Sequence, residues 1–175
     1  RHGNDDAGNA QQRAGGLNSV LSYLRFARDN WRFVAFGFVL TGTSSYGQTF
    51  FIGIFGPDVQ ARFSLDHTEW GTIYLIGTLA SAMILPWTGK LIDQVDLRRY
   101  TLAVCGLAVL ACLAMATAQN VIMLVVAILL LRQSGQGLLS HIASTSMARY
   151  HEHGRGKALA IASFGEGIGE AILPV

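Results

Sequence analysis

The sequence predicts an all-α integral membrane fold, a bundle of transmembrane helices, and three observations carry that prediction. First, 51% of the 175 residues are hydrophobic and only 14% are charged, a composition too apolar for an ordinary soluble domain. Second, the apolar residues are clustered, with no Asp, Glu, Lys or Arg at 33–57, 70–89 or 100–131. A hydrocarbon core about 30 Å thick takes roughly 20 helical residues to cross, so each run holds at least one spanning helix. Third, the basic residues behind the net charge of +2 sit beside the apolar runs rather than on one soluble face. That distribution argues against a nucleic-acid partner.

Taken in order, residues 1–16 (RHGNDDAGNAQQRAGG) are polar, glycine-rich and aperiodic, the composition of a disordered tail. Over 17–32 the pattern changes. Leu17, Val20, Leu21, Leu24 and Trp31 recur at helical spacing while Arg25, Arg28 and Arg32 share another face, which fits an amphipathic helix on a membrane surface and a solvated lead-in equally. The first span is expected at 33–55, ending before Gly56-Pro57-Asp58. A cleaved signal peptide does not fit, because the polar lead-in is too long and the uncharged run exceeds the usual apolar stretch of about 7–15 residues. Within this span Thr41, Ser44, Ser45, Gln48 and Thr49 fall along one side. Such a stripe faces protein or a water-filled cavity, since lipid cannot satisfy it.

The second span is expected at 70–88, with Pro86 near its end, where a missing backbone hydrogen bond is easiest to accommodate. As one straight helix 100–131 would be about 48 Å long, well beyond the hydrocarbon thickness. Ala118-Gln119-Asn120 is the polar break within it, so the third span is set at 100–117 and the fourth at 121–146. After the loop ARYHEHGRGK (148–157) a fifth span runs over 158–175, cut off by the end of the chain. With Arg1 in place of Met, this reads as a fragment of a longer protein. Cys105 and Cys112 lie about 10 Å apart along one helix, too far for a disulfide, and are read as packing residues.

Basic residues accumulate on the cytoplasmic side. Arg1, Arg13, Arg25, Arg28 and Arg32 precede the first span; Lys90, Arg98 and Arg99 follow the second; Arg149, Arg155 and Lys157 follow the fourth. The 1–2 loop has only Arg62, opposed by Asp58, Asp66 and Glu69. The amino terminus and the 2–3 and 4–5 loops are therefore expected to be cytoplasmic, in a cell (plasma) membrane.

Charges inside the spans are the candidate functional residues. Arg132 falls near mid-membrane, where an isolated charge costs about 2.5–3.5 kcal/mol on insertion scales. It is expected to face a cavity or to pair with a carboxylate. Glu166 and Glu170, one turn apart on the fifth span, are candidates for proton or cation coupling or for pairing with Arg132, against the alternative of a structural ion pair. Gln48 joins them as the longest polar side chain of the first span's stripe. Gly165 and Gly169 have the small-x-x-x-small spacing of close helix packing. His141 reads as a packing or pore-edge residue, and His151-Glu152-His153 as a solvated loop rather than a metal site. No phosphate loop, zinc HExxH or nucleophile elbow occurs, so neither an enzyme nor a cofactor is expected.

The segment Gly89-Lys90-Leu91-Ile92-Asp93-Gln94-Val95-Asp96-Leu97-Arg98-Arg99 resembles the G-x-L-x-D-R-x-G-R-[RK] signature of the major facilitator superfamily, and it lies between spans two and three as that signature does. Gly89, Leu91, Asp93 and Arg98 fit it. Gln94 and Leu97 replace basic residues, and Asp96 replaces a glycine, a position where Asp tolerates a left-handed turn better than most residues. Arg132-Gln133-Ser134-Gly135-Gln136-Gly137 is similar to the family's R-x-x-x-G pattern in span four, and Arg155-Gly156-Lys157-Ala158 with Gly165 and Gly169 to its approach to span five. The resemblance implies part of a six-helix half built of inverted three-helix repeats. It also implies a secondary transporter that moves a small solute by alternating access, with ion or proton coupling. Gly89, Asp93, Arg98 and Arg99 would form its gating loop, in which Asp93 docks on a helix end or a basic partner rather than remaining a solvated charge. A channel or non-transporting scaffold is the rival.

Overall fold

The lead-in, α1 (20–29), turns at Asn30 into α2 (Trp31–Ser44), and the Asn30 side-chain amide donates to Phe26 O at 3.1 Å. The computed structural model describes residues 20–150 and 154–173, which contain helices and short connections and no strand. The expected tail at 1–16 and the His151-Glu152-His153 run lie outside the described residues. Beyond α2 the chain forms a 3-10 turn at Ser45–Gly47, then α3 (Thr49–Ile54), α4 (Gly56–Phe63), α5 (His67–Lys90), α6 (Leu97–Thr117), α7 (Val121–Leu131), a π-helical segment at Arg132–Leu139, α8 (Ser140–Tyr150) and α9 (Arg155–Ile172).

The run expected as one span at 33–55 is two helices, α2 and α3, separated by the turn and by an extended Gln48 (φ −78°, ψ 155°). Local chemistry favours the break. The Thr41 hydroxyl contacts Gly37 O and Phe38 O, and Ser44 Oγ donates to Thr41 O at 2.6 Å, and such back-bonding to the preceding turn loosens a helix. Pro57 then opens α4, in whose first turn its missing N–H costs nothing. Ser64, in the left-handed region at φ 54°, closes α4.

The later helices are capped by side chains. Asp66 and Glu69 form a reciprocal capping box at the start of α5: Glu69 N donates to Asp66 Oδ1 at 2.7 Å, and Asp66 N to Glu69 Oε2 at 2.9 Å. Asn120 Oδ1 accepts from Met123 N at 2.9 Å and starts α7. Asp96 accepts from Arg98 N and Arg99 N at 3.1 and 3.2 Å. Its φ of −54° is not left-handed, which corrects the expectation for that position: aspartate stands there because its carboxylate caps α6.

Three uninterrupted helical stretches among the described residues are long and apolar enough to cross a membrane: His67–Asp93, Leu97–Thr117 and Val121–Tyr150. The break divides the α2–α3 stretch, and α9 carries Arg155, Lys157, Glu166 and Glu170. Leu75, Ile76, Leu79 and Met83 of α5 and Leu102, Val109, Leu110 and Leu113 of α6 are each at least half exposed. Apolar faces of that extent are stable against acyl chains rather than water. Inside, Leu40, Tyr100, Val104, Leu139 and Ile142 join α2, α6 and α8 around the π segment. Met147, Ala158 and Ala162 join α8 to α9. The α2–α9 contact is so close that a Cβ on Gly165 would lie 2.2 Å from Phe38 O, and the Thr41 hydroxyl donates across it to Ala162 O.

Candidate functional site

The break in the first span meets the π segment of the fourth, and both need glycine to do so. A Cβ on Gly47 would lie 2.3 Å from Leu131 O, and one on Gly135 would lie 2.6 Å from Gly47 Cα. The backbones touch there. A π turn widens a helix by one residue and shifts its neighbours around the axis, and here it begins at Arg132.

In a continuous helix Gly47 O would accept from the amide four residues on. At the break it accepts instead from Arg132 Nη1 at 3.2 Å, and the same nitrogen donates to Thr49 Oγ1 at 3.2 Å. Tyr74 OH donates to Thr49 Oγ1 at 3.0 Å, and the guanidinium carbon stands 5.6 Å from the Tyr74 ring centroid, a cation–π distance. Between these two contacts, the side chain of Gln48 goes the other way: its Nε2 donates to Glu166 Oε1 at 2.7 Å. Three consecutive residues of the first span thus tie a cation on the fourth to a carboxylate on the fifth.

The direct pairing considered for Arg132 and a glutamate is not formed. Among the described residues the ion pairs are Arg28–Asp29 and Arg149–Asp93. A carbonyl dipole, a hydroxyl and an aromatic face compensate Arg132 instead. Glu166 is likewise met by the Gln48 side-chain amide rather than by a cation. Glu170, one turn beyond Glu166, is exposed and makes no hydrogen bond or ion pair among the described residues.

Gln133, which sequence reasoning treated only as part of a motif, is buried and anchors the π segment to α5. Ser81 Oγ donates to Gln133 Oε1 at 2.9 Å, and Gln133 Nε2 donates to Thr88 Oγ1 at 2.7 Å. Tyr100 OH then donates to Thr88 O at 2.8 Å. The available signal was a glutamine in an apolar run and two hydroxyls on one face of the second span.

The gating-loop residues lie apart from this site. Gly89 is buried, with the His141 ring 3.7 Å from where its Cβ would be. Asp93 Oδ1 accepts from Arg149 Nη2 at the end of α8. Arg98 and Arg99 are exposed, and their backbone amides hold the Asp96 cap. An apolar cleft of about 400 Å³ lies beyond the break, where Tyr46, Phe51 and Phe55 face Met115 and Leu124, with Asp58 and Arg62 as its charged lining residues.

The family model for the Major Facilitator Superfamily matches residues 3–174. Comparison with curated proteins and with solved structures gives no match.

Proposed function

Because the chain belongs to the major facilitator superfamily, and so to a family of membrane transporters, we propose that it serves secondary active transport of a small solute by alternating access, coupled to protons or another ion. The observation that carries this reading is the interrupted first span held between Arg132 and Glu166. Irregular backbone at membrane depth is tolerated where it is buried in protein or lines a water-filled cavity, and ionisable groups placed there mark substrate and ion pathways. Arg132, Gln48 and Glu166, with Glu170 along the same helix, form the solute or proton pathway.

Gly89, Asp93, Arg98 and Arg99 form the gate. In it the Asp93–Arg149 pair ties the 2–3 connection to the end of the fourth span and must release when that side opens. In proteoliposomes, uptake from a panel of labelled solutes is expected to saturate and to rise with an imposed proton gradient. Linear, gradient-independent flux would favour a channel, and no flux a scaffold. In the same assay Asp93→Asn lowers uptake severalfold without lowering the amount inserted, since an exposed pair contributes at most about 1 kcal/mol to stability. Unchanged uptake would return Asp93 to the status of a solvated charge.

The same reading places the amino terminus and the 2–3 and 4–5 connections in the cytoplasm of a cell bounded by this membrane. Single cysteines at positions 62 and 98, in a background lacking Cys105 and Cys112, test it with an impermeant thiol reagent. Labelling of position 62 in intact cells, and of position 98 only after lysis, is expected. The opposite pattern inverts the topology.

A further inference from the structure

The short helix before the first span has one edge fixed on the bundle and the other left bare. Phe26 lies over Gly154, where a Cβ would come within 2.4 Å of the Phe26 ring, and Lys157 Nζ stands 5.8 Å from the Tyr23 ring centroid. Phe26 also packs on the cluster of Met147, Ala158 and Ala162. These contacts fix the rotation of α1 about its axis. At about 100° per residue, the side of α1 turned away from Tyr23 and Phe26 carries two adjacent stripes, and Trp31 and Arg32, at the start of α2 just past the Asn30 turn, add one exposed residue of each kind.

One stripe is apolar: Val20, Leu24 and Trp31 are 55%, 61% and 63% exposed. The other is basic: Arg25, Arg28 and Arg32 are exposed, with Asp29 the acidic residue beside them. The Arg28–Asp29 bridge, at 3.4 Å between side chains 82% and 62% exposed, holds little of that charge back. Asn30 alone separates α1 from α2, so the helix lies where the bundle meets the membrane surface. Bare apolar side chains flanked by arginines at that level match the acyl–headgroup boundary, and three cations in a row select anionic headgroups.

We infer that α1 and the start of α2 form an anionic-phospholipid binding element, with Val20, Leu24 and Trp31 seated among acyl chains and Arg25, Arg28 and Arg32 on phosphate-bearing headgroups. Because its inner edge grips the start of α9, lipid charge on the outer face holds the connection into the helix that carries Glu166. The sequence pattern alone left a solvated lead-in equally open. The fixed inner edge is what turns the apolar and basic stripes outward together.

Hydrogen–deuterium exchange of the whole chain tests this in nanodiscs of phosphatidylcholine alone and of phosphatidylcholine mixed with phosphatidylglycerol. Amides of 20–32 are expected to exchange more slowly in the anionic discs. The advantage shrinks by about fivefold for each arginine removed and vanishes in the Arg25→Gln/Arg28→Gln/Arg32→Gln variant and in high salt, while α5 to α8 are unaffected. Leu24→Asp should speed exchange in both lipids. Equal exchange in the two lipids, or an undiminished advantage in the triple variant, overturns the proposal. Protection that follows the number of chains per disc rather than lipid charge does so too, and assigns the face to a second copy.

Discussion

Arg132→Met is expected to reduce uptake by at least about tenfold and to destabilise the protein. Removing the guanidinium leaves Gly47 O, at the break in the first span, without its donor. An unsatisfied buried acceptor costs on the order of 1–3 kcal/mol. The substitution also removes the cation that contacts both Thr49 Oγ1 and the Tyr74 ring. Arg132→Lys separates charge from geometry, because an ammonium keeps the charge but not the planar guanidinium that lies over the Tyr74 ring while its Nη1 reaches both the carbonyl and the hydroxyl. If the break is a solute site, lysine restores the melting temperature more fully than it restores uptake. If Arg132 is only a structural clasp, the two recover together. Uptake and stability both unchanged in Arg132→Met would remove the residue from the mechanism.

The fold class was legible because lipid imposes a simple requirement: enough consecutive apolar residues to cross, with every backbone group bonded internally. The break at 45–48 was not, for a physical reason. Hydropathy averages over a four-residue interruption, and the polar stripe at Thr41, Ser44, Ser45, Gln48 and Thr49 reads the same on a straight helix as on a broken one. What makes the interruption specific is the backbone crossing of Gly47 on Gly135, a long-range contact that no local period encodes. The π segment is hidden in the same way. Its glycines are visible, but their partner lies on another span. Asp96 shows the reverse case, where a departure from a family pattern had a plain local meaning as a helix cap. Arg149 appeared in sequence only as one more positive charge, and becomes the partner of Asp93 once α8 brings it beside the 2–3 connection.

Glu166→Gln is the variant with the largest expected effect on coupling. A glutamine carbonyl still accepts the hydrogen bond that Gln48 Nε2 now gives to Glu166 Oε1, so the geometry at the break is kept while the charge and the titratable proton are lost. With Glu166 as the proton carrier, uptake by the unaltered protein rises with an imposed proton gradient. The variant, which has no carboxylate there to carry the proton, does not respond to the gradient. A coupling free energy of 1–3 kcal/mol corresponds to roughly 5–150-fold, so the proton movement that accompanies solute, followed with a pH dye inside the vesicles, should drop by about tenfold or more. Solute exchange without a gradient should persist, since the solute path is intact. Glu170→Gln, on an exposed side chain one turn away, acts in the same direction with a smaller effect. If proton movement survives in the variant carrying both glutamines, neither carboxylate carries the coupling ion, and the Gln48–Glu166 contact is a tie between the first and fifth spans and nothing more.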